Sequence, residues 1–218
     1  TGLSETFTIT VNPSAQVEPI PNQVLCNQES TEEIIFTTAN IDGTTSYSWT
    51  NDNTTIGLPV AVGSGNIGSF NVINTTSQSQ TATFVVTPSY TNNGISCTGL
   101  SETFTITVNP SAQVNEILNQ ELCEGQITSP ITFSTTNVDG ITTYSWTNDN
   151  TNIGLAESGD GNILSFTVLN NSGESEAATI TVVPTYSSSG VDCVGSAYTF
   201  VLVVNPREQV NPIENQIL

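Results

Sequence analysis

The sequence predicts an all-β chain of tandem sandwich repeats, each of roughly 97 residues. Three observations predict it. The seventeen residues TGLSETFTITVNPSAQV at Thr1 return letter for letter at Thr98, and a looser copy, VGSAYTFVLVVNPREQV, starts at Val194. The landmarks keep one spacing. Trp49 and Trp146 lie 97 positions apart, as do Cys26 and Cys123, and Cys97 and Cys193 lie 96 apart because one residue is lost between the stretches that end at Phe70 and Phe166. Finally, apolar and polar residues alternate with a period of two, and no stretch of ten residues carries a helical period.

The elements follow in chain order. A first strand ends near Cys26, with Pro19 and Pro21 ahead of it. EEIIFTT (32–38), TSYSWT (45–50), SFNVI (69–73), TATFVVTP (81–88) and ETFTITV (102–108) then read as strands. In the last of these, Phe104, Ile106 and Val108 share one face, and Thr103, Thr105 and Thr107 share the other. β-Branched and aromatic residues fill the strands, which suits a pleated, half-buried surface. Turn chemistry separates them: IDG at 41–43, NDN at 51–53, GSGN at 63–66 and NNG at 92–94. Six or seven short strands per repeat, with turns between them, predict an immunoglobulin-like sandwich. The domain reading is a last strand of a preceding repeat at 1–11, complete repeats at 12–109 and 110–206, and a first strand of a following repeat at 207–218. The chain therefore reads as a piece of a longer array.

Composition narrows the function. Arg207 is the one basic residue against twenty carboxylates, Lys, His and Met are absent, and the net charge is -19. Nucleic acid and anionic membrane both need a basic footprint, so neither is an expected partner. With no His and no Lys the usual general bases and Schiff-base amines are missing. Carboxylate pairs could serve a glycosidase, but the carboxylates lie mostly in turns and no insertion is large enough to build a cleft. The expectation is no enzyme. Without Lys, Lys–Asn cross-links are excluded as well.

Candidate sites are few. Trp49 and Trp146 follow Tyr47 and Tyr144 by two, so each Tyr–Trp pair shares a strand face. The functional alternative is an aromatic platform for sugar; the expectation is structural core, since a thin sandwich needs that bulk between its layers. Asp42 and Asp139 precede Gly before the Trp strand, and Asp52 and Asp149 follow it in NDN. Calcium takes six to eight oxygens, and loops at opposite ends of one strand cannot share an ion. Asx turns are the expectation at all four, with calcium as the alternative. Asp160 reads as a turn residue. Asn53, Asn74 and Asn170 begin N-x-S/T sequons and read as Asn-rich turns, not as glycan acceptors.

The succession VNP, NQxLC, DGxTxYSWTNDNTxIGL, GNIxSF, a VxP strand, and GxxC before TFxxxVNP resembles the PKD-like repeats of giant Bacteroidetes surface proteins, the adhesins and gliding-motility-associated exoproteins. Where ordinary PKD domains carry W-D-F-G-D-G, this chain has Trp49-Thr-Asn-Asp-Asn53. The resemblance covers both complete repeats and both partial ends. It implies an immunoglobulin-like sandwich, secretion to the bacterial cell surface, a spacer or adhesive role, and no catalytic residues; no cofactor is expected, with calcium as the alternative already given.

Two functions from different classes stay open. In the first, the repeats are rigid beads of a long adhesin or surface fibre, with neighbouring repeats, or other copies in a fibre, as partners. In the second, they are polysaccharide-binding modules. The four-residue linker NPSA (109–112) favours the first, because a short Pro-bearing link is no flexible tether.

An even count of cysteines at repeating positions in a secreted array indicates disulfides. Two pairings are open. Within-repeat bonds would join Cys26 to Cys97 and Cys123 to Cys193; they need a first strand that stays at the end where it begins. A between-repeat bond would join Cys26 to Cys193, with Cys97 and Cys123 pairing to neighbouring repeats; free thiols are the remaining alternative. The between-repeat bond is favoured, because the first and last strands of such a sandwich run parallel and place their cysteines at opposite ends.

Overall fold

The computed structural model describes residues 2–208. Two compact units, Thr1–Pro110 and Ser111–Leu218, divide the chain. The expected following strand at 207–218 lies outside the described residues, apart from Arg207 and Glu208.

The first unit is one six-stranded sheet. Its strands are β1 (Gln23–Cys26), β2 (Thr44–Asn51), β3 (Val62–Ser64), β4 (Gln80–Asn92), β5 (Ile95–Thr98) and β6 (Glu102–Asn109). The spatial order is β1-β6-β4-β2-β3. β1 lies parallel to β6 and every other pair is antiparallel. Since β2 occupies one edge of β4 over Phe84–Thr91, β5 and β6 share the other edge. A break at Gly99–Ser101 separates them, where the Gly99 N–H returns to the Pro88 carbonyl at 3.0 Å. The β4–β5 hairpin turns through Asn93 and Gly94, both at positive φ, the two-residue geometry whose twist matches the flanking strands.

The second unit repeats this plan: β7 (Gln120–Cys123), β8 (Ile141–Asn148), β9 (Ser158–Asp160), β10 (Glu176–Ser188), β11 (Val191–Val194) and β12 (Tyr198–Asn205). Their order is β7-β12-β10-β8-β9, with β11 on β10. Ser189 and Gly190 make its hairpin turn. Asp160, expected in a turn, is instead the last residue of β9 and pairs with Ser145.

A second layer covers each sheet, but not as regular strands. EEIIFTT and SFNVI form no ladder; their neighbourhoods are joined by two isolated antiparallel bridges, Ser30 with Asn71 and Ile34 with Ile67. Their alternation is real: Ile34 and Phe36 are buried and Ile35 is exposed. Side chains take over some of the ladder's hydrogen bonds, an alternative that Ser, Thr and Asn offer the backbone. Asn66 Oδ1 accepts from the Phe36 N–H, Thr31 Oγ1 accepts from the Phe70 N–H, and Ser69 Oγ donates to the Thr31 carbonyl. Asn162 and Thr128 do the same for Phe133 and Phe166 in the second unit.

Each core lies between sheet and covering layer. Trp49, Phe84, Phe104 and Ile106 come from the sheet, and Ile34, Ile67 and Val72 come from the layer. Phe84 and Phe104 stack at 4.8 Å. The second core repeats the plan with Trp146, Ile180, Phe200 and Leu202. The opening copy of the repeated segment contrasts with the internal one. Phe7 is 86% exposed, whereas its equivalent Phe104 in β6 is 1% exposed.

Candidate functional site

The cysteines sit at the two ends of each sheet. On β1, Cys26 lies beside Asn109, the last residue of β6. At that level β4 begins, with Gln80 facing Val108. Cys97 on β5 faces Tyr90, near the other end of β4. Ten residues of strand separate these levels by roughly 30 Å, whereas a disulfide needs its Cα atoms within about 7 Å. The first strand is short, as the within-repeat pairing requires, but it lies at the trailing end of β6 and not where the repeat begins. A Cys26–Cys97 bond is therefore excluded. The second unit excludes Cys123–Cys193 in the same way: Cys123 lies beside Asn205, Glu176 faces Val204, and Cys193 faces Tyr186. Cys26 and Cys193 are disulfide-bonded, and Cys97 and Cys123 are free thiols.

The turn after each first-strand cysteine is preset. The Cys26 N–H donates to Glu29 Oε2 at 2.7 Å, and the Glu29 N–H returns to the Cys26 carbonyl at 3.1 Å. Gln126 takes the same place beside Cys123, with Oε1 accepting at 2.7 Å.

Trp49 and Trp146 are both 7% exposed and point into their cores. Trp49 packs on Phe84, with ring centroids 6.1 Å apart. Its indole N–H donates to the Gly65 carbonyl at 3.1 Å. The Trp146 N–H is buried with no partner. Tyr47 and Tyr144 pack at the core margin against Phe36 and Phe133, each with centroids 5.4 Å apart. Burial pushes the Tyr47 phenol above its usual pKa, with Glu18 adding to the rise and a Thr38 hydrogen bond opposing it. Burial does the same to Tyr144, opposed by Thr135. Gly63 and Gly159 lie against the two indoles; a Cβ at Gly63 would fall 2.1 Å from the Trp49 ring.

Asp52 and Asp149 are fastened to distant backbone across the sheet and not through the Asx turns expected there. Asp42 and Asp139 hold left-handed turn positions ahead of the Trp strands, with φ of 63° and 62°. Asp52 Oδ1 accepts from the Thr83 N–H, and Asp149 Oδ1 from the Thr179 N–H, both at 2.6 Å. Among the described residues, no three His, Cys, Asp or Glu side chains gather where they could hold a metal ion.

The sequon asparagines are structural hubs. Asn53 caps a single 3-10 turn, Thr54–Ile56, and its amide donates to the Thr81 carbonyl. Asn74 is 4% exposed. Its amide donates to the carbonyls of Gln78 and Val108, and its Oδ1 accepts from Thr76. Asn170 repeats this with Glu174, Val204 and Ser172. At Asn74 and Asn170, N-x-T/S is thus a turn that ties a loop to the end of the last strand.

Two further hubs were not singled out by sequence reasoning. Asn51 and Asn148 are buried at the ends of β2 and β8. Their amides hold the loops that follow, Asn51 through the Leu58 and Val60 carbonyls and Asn148 through Leu155 and Ala156. The available signal was the Asn two places after each Trp, at the buried phase of the strand.

A family model described as a PKD-like domain matches the chain twice, over residues 23–112 and 120–208. No curated protein matches the chain. Solved structures similar to it include human protocadherin-24 EC1-2, at 12% identity and a TM-score of 0.44, covering 90% of this chain and 100% of that one. The N-terminal Ig1-2 module of the Drosophila receptor protein tyrosine phosphatase DLAR is 10% identical, with a TM-score of 0.31 and coverage of 90% and 100%. BT4661, a SusE-like surface located polysaccharide binding protein from Bacteroides thetaiotaomicron, is 15% identical at a TM-score of 0.26; the match covers 88% of this chain and 34% of that one.

Proposed function

Since the chain belongs to the PKD-like domain family, with two members in tandem, we propose that it is a repeat segment of a long extracellular adhesin or surface fibre at the bacterial cell surface, in which each domain is a rigid spacer. Tandem PKD-like and Ig-like domains are typical of adhesion and extracellular repeat modules and are usually non-catalytic. The observation that carries the spacer reading lies within one repeat. The chain comes in beside the start of the last strand, where a Cβ on Gly99 would fall 1.8 Å from the Ala15 carbonyl oxygen. It leaves at Asn109, the opposite end of that strand, next to Cys26. Each repeat therefore advances the chain by a sheet length, and copies add reach.

In this reading Cys26, at the trailing end of the first repeat, is joined to Cys193, near the leading end of the second. Within-repeat bonds are out of reach, and these are the two bonded cysteines. Oxidised cysteines suit an extracellular compartment. Small-angle scattering on chains of two and four repeats tests the spacer role. Maximum dimension should grow by roughly 30–40 Å per repeat; a radius of gyration that barely rises would overturn it. Polysaccharide binding would need another surface than the two tryptophans, which are buried. Tight, selective retention of the chain on a glycan array would favour that alternative.

A further inference from the structure

We propose that Cys97 and Cys123 are the two halves of one more inter-repeat bond, each open to the complementary cysteine of a further copy of this repeat. The inference rests on the array reading above. Cys123 is the equivalent of Cys26, and Cys97 is the equivalent of Cys193. Both equivalents are disulfide-bonded, and both of these residues are free thiols.

The local frames match. Cys26 and Cys123 each end a four-residue strand parallel to the last strand of their unit, and each has its N–H held by the side chain three residues on. Cys97 and Cys193 each sit third in a four-residue strand after a positive-φ turn, facing Tyr90 and Tyr186. Each free thiol is more open than its bonded equivalent. Cys123 is exposed where Cys26 is half-buried, and Cys97 is half-buried where Cys193 is 1% exposed. The strand and turn that present each bonded cysteine thus recur at its free equivalent.

The two halves are different in kind. Cys97 belongs to the hairpin end of its sheet, and Cys123 to the first-strand end of its own. The bond is heterologous, hairpin cysteine to first-strand cysteine, and such contacts propagate as open chains unless a rotation closes them. A small disulfide, oxidised glutathione, supplies the oxidant. The Cys123 thiolate attacks it, forming a mixed disulfide and releasing one glutathione thiolate. The Cys97 thiolate of the second copy then attacks the Cys123 sulfur and releases the other. Two thiols lose two electrons and two protons, and one glutathione disulfide is reduced to two thiols.

The experiment uses the full chain in a glutathione redox buffer, as wild type, Cys97→Ser and Cys123→Ser. Non-reducing electrophoresis and a peptide map are read on each sample. Wild type should give a ladder of covalent multimers joined by Cys97–Cys123 peptides. Each variant alone should stay monomeric, and an equal mixture should give the heterodimer. Like-with-like dimers as abundant as the heterodimer would overturn the proposal. So would a wild-type chain that stays monomeric with glutathione on both thiols, or one that closes Cys97 to Cys123 within itself. The same maps follow the Cys26–Cys193 peptide. Its absence would sink the underlying pairing, whereas its presence without a ladder would sink only the further bond.

Discussion

Trp49 and Trp146 occupy equivalent positions, yet their indole N–H groups meet different fates. Trp49 has the Gly65 carbonyl and Trp146 has no partner. Trp49→Ala empties the centre of its core and should cost about 3–5 kcal/mol. Trp→Phe separates packing from polarity. Trp49→Phe loses a hydrogen bond, whereas Trp146→Phe removes a buried, unsatisfied donor, worth about 1–3 kcal/mol. The second substitution should be the milder by about that amount in urea unfolding; equal costs would mean that the Trp146 N–H is satisfied in solution. The burial of both rings was expected from the bulk that a thin sandwich needs between its layers. The difference between them was not, because it depends on the path of two loops, GSGN and GDGN, that read alike as turns. The phenols give a pH signature. Burial raises Tyr47 and Tyr144 above the ordinary value of 10.0. A group whose folded pKa is raised holds its proton better when folded. Its stabilisation is complete below the unfolded value and is lost as pH rises through the folded one. The melting temperature should fall above about pH 10, and Tyr47→Phe with Tyr144→Phe should flatten that limb. An unchanged alkaline limb would show that neither phenol is protected.

At the scale of elements, the sheet was legible and the covering layer was not. TATFVVTP and ETFTITV lie within β4 and β6, where every second side chain is buried. EEIIFTT buries Ile34 and Phe36 and exposes Ile35, yet it makes one isolated bridge, at Ile34, because Asn66, Thr31 and Ser69 hold its neighbourhood by side chain. Periodicity reports which face is buried and is silent on what satisfies the backbone. The path of the first strand was legible only as a pair of alternatives, since the register of β1 on β6 depends on a long-range contact. The repeated TGLSETF supplies an internal control for another such contact. A Cβ on Gly99 would fall 1.8 Å from the Ala15 carbonyl oxygen, whereas one on Gly2 meets nothing within 4 Å. Gly99→Ala should destabilise the first unit by at least about 1–3 kcal/mol, the cost of overpacking. Gly2→Ala should stay within about 0.5 kcal/mol of wild type. Two glycines in identical sequence should thus differ in a thermal melt. Equal effects would mean that the segment around Ala15 is not packed against Gly99 in solution.

At the scale of the whole molecule, the two cores share no residue. Calorimetry of Trp49→Ala should show one transition lost or lowered and the other kept; loss of both together would mean that the units fold as one. The charge of -19 spreads like-sign repulsion over the chain. Both melting temperatures should rise as sodium chloride shortens the Debye length from about 30 Å at 0.01 M to about 8 Å at 0.15 M. Salt-independent melts would show that the carboxylates are too dispersed to matter. The parallel pairing of Gln23–Cys26 with Ile106–Asn109 has a consequence under load. A repeat gripped by the chain ahead of β1 and the chain beyond β6 is pulled along the strands and not across them. Its ladder bonds are then strained together, as in a lap joint, so the patch must slide as a unit before the sheet can open. Four residues of ladder make the first-to-last strand seam the place where each repeat bears tension.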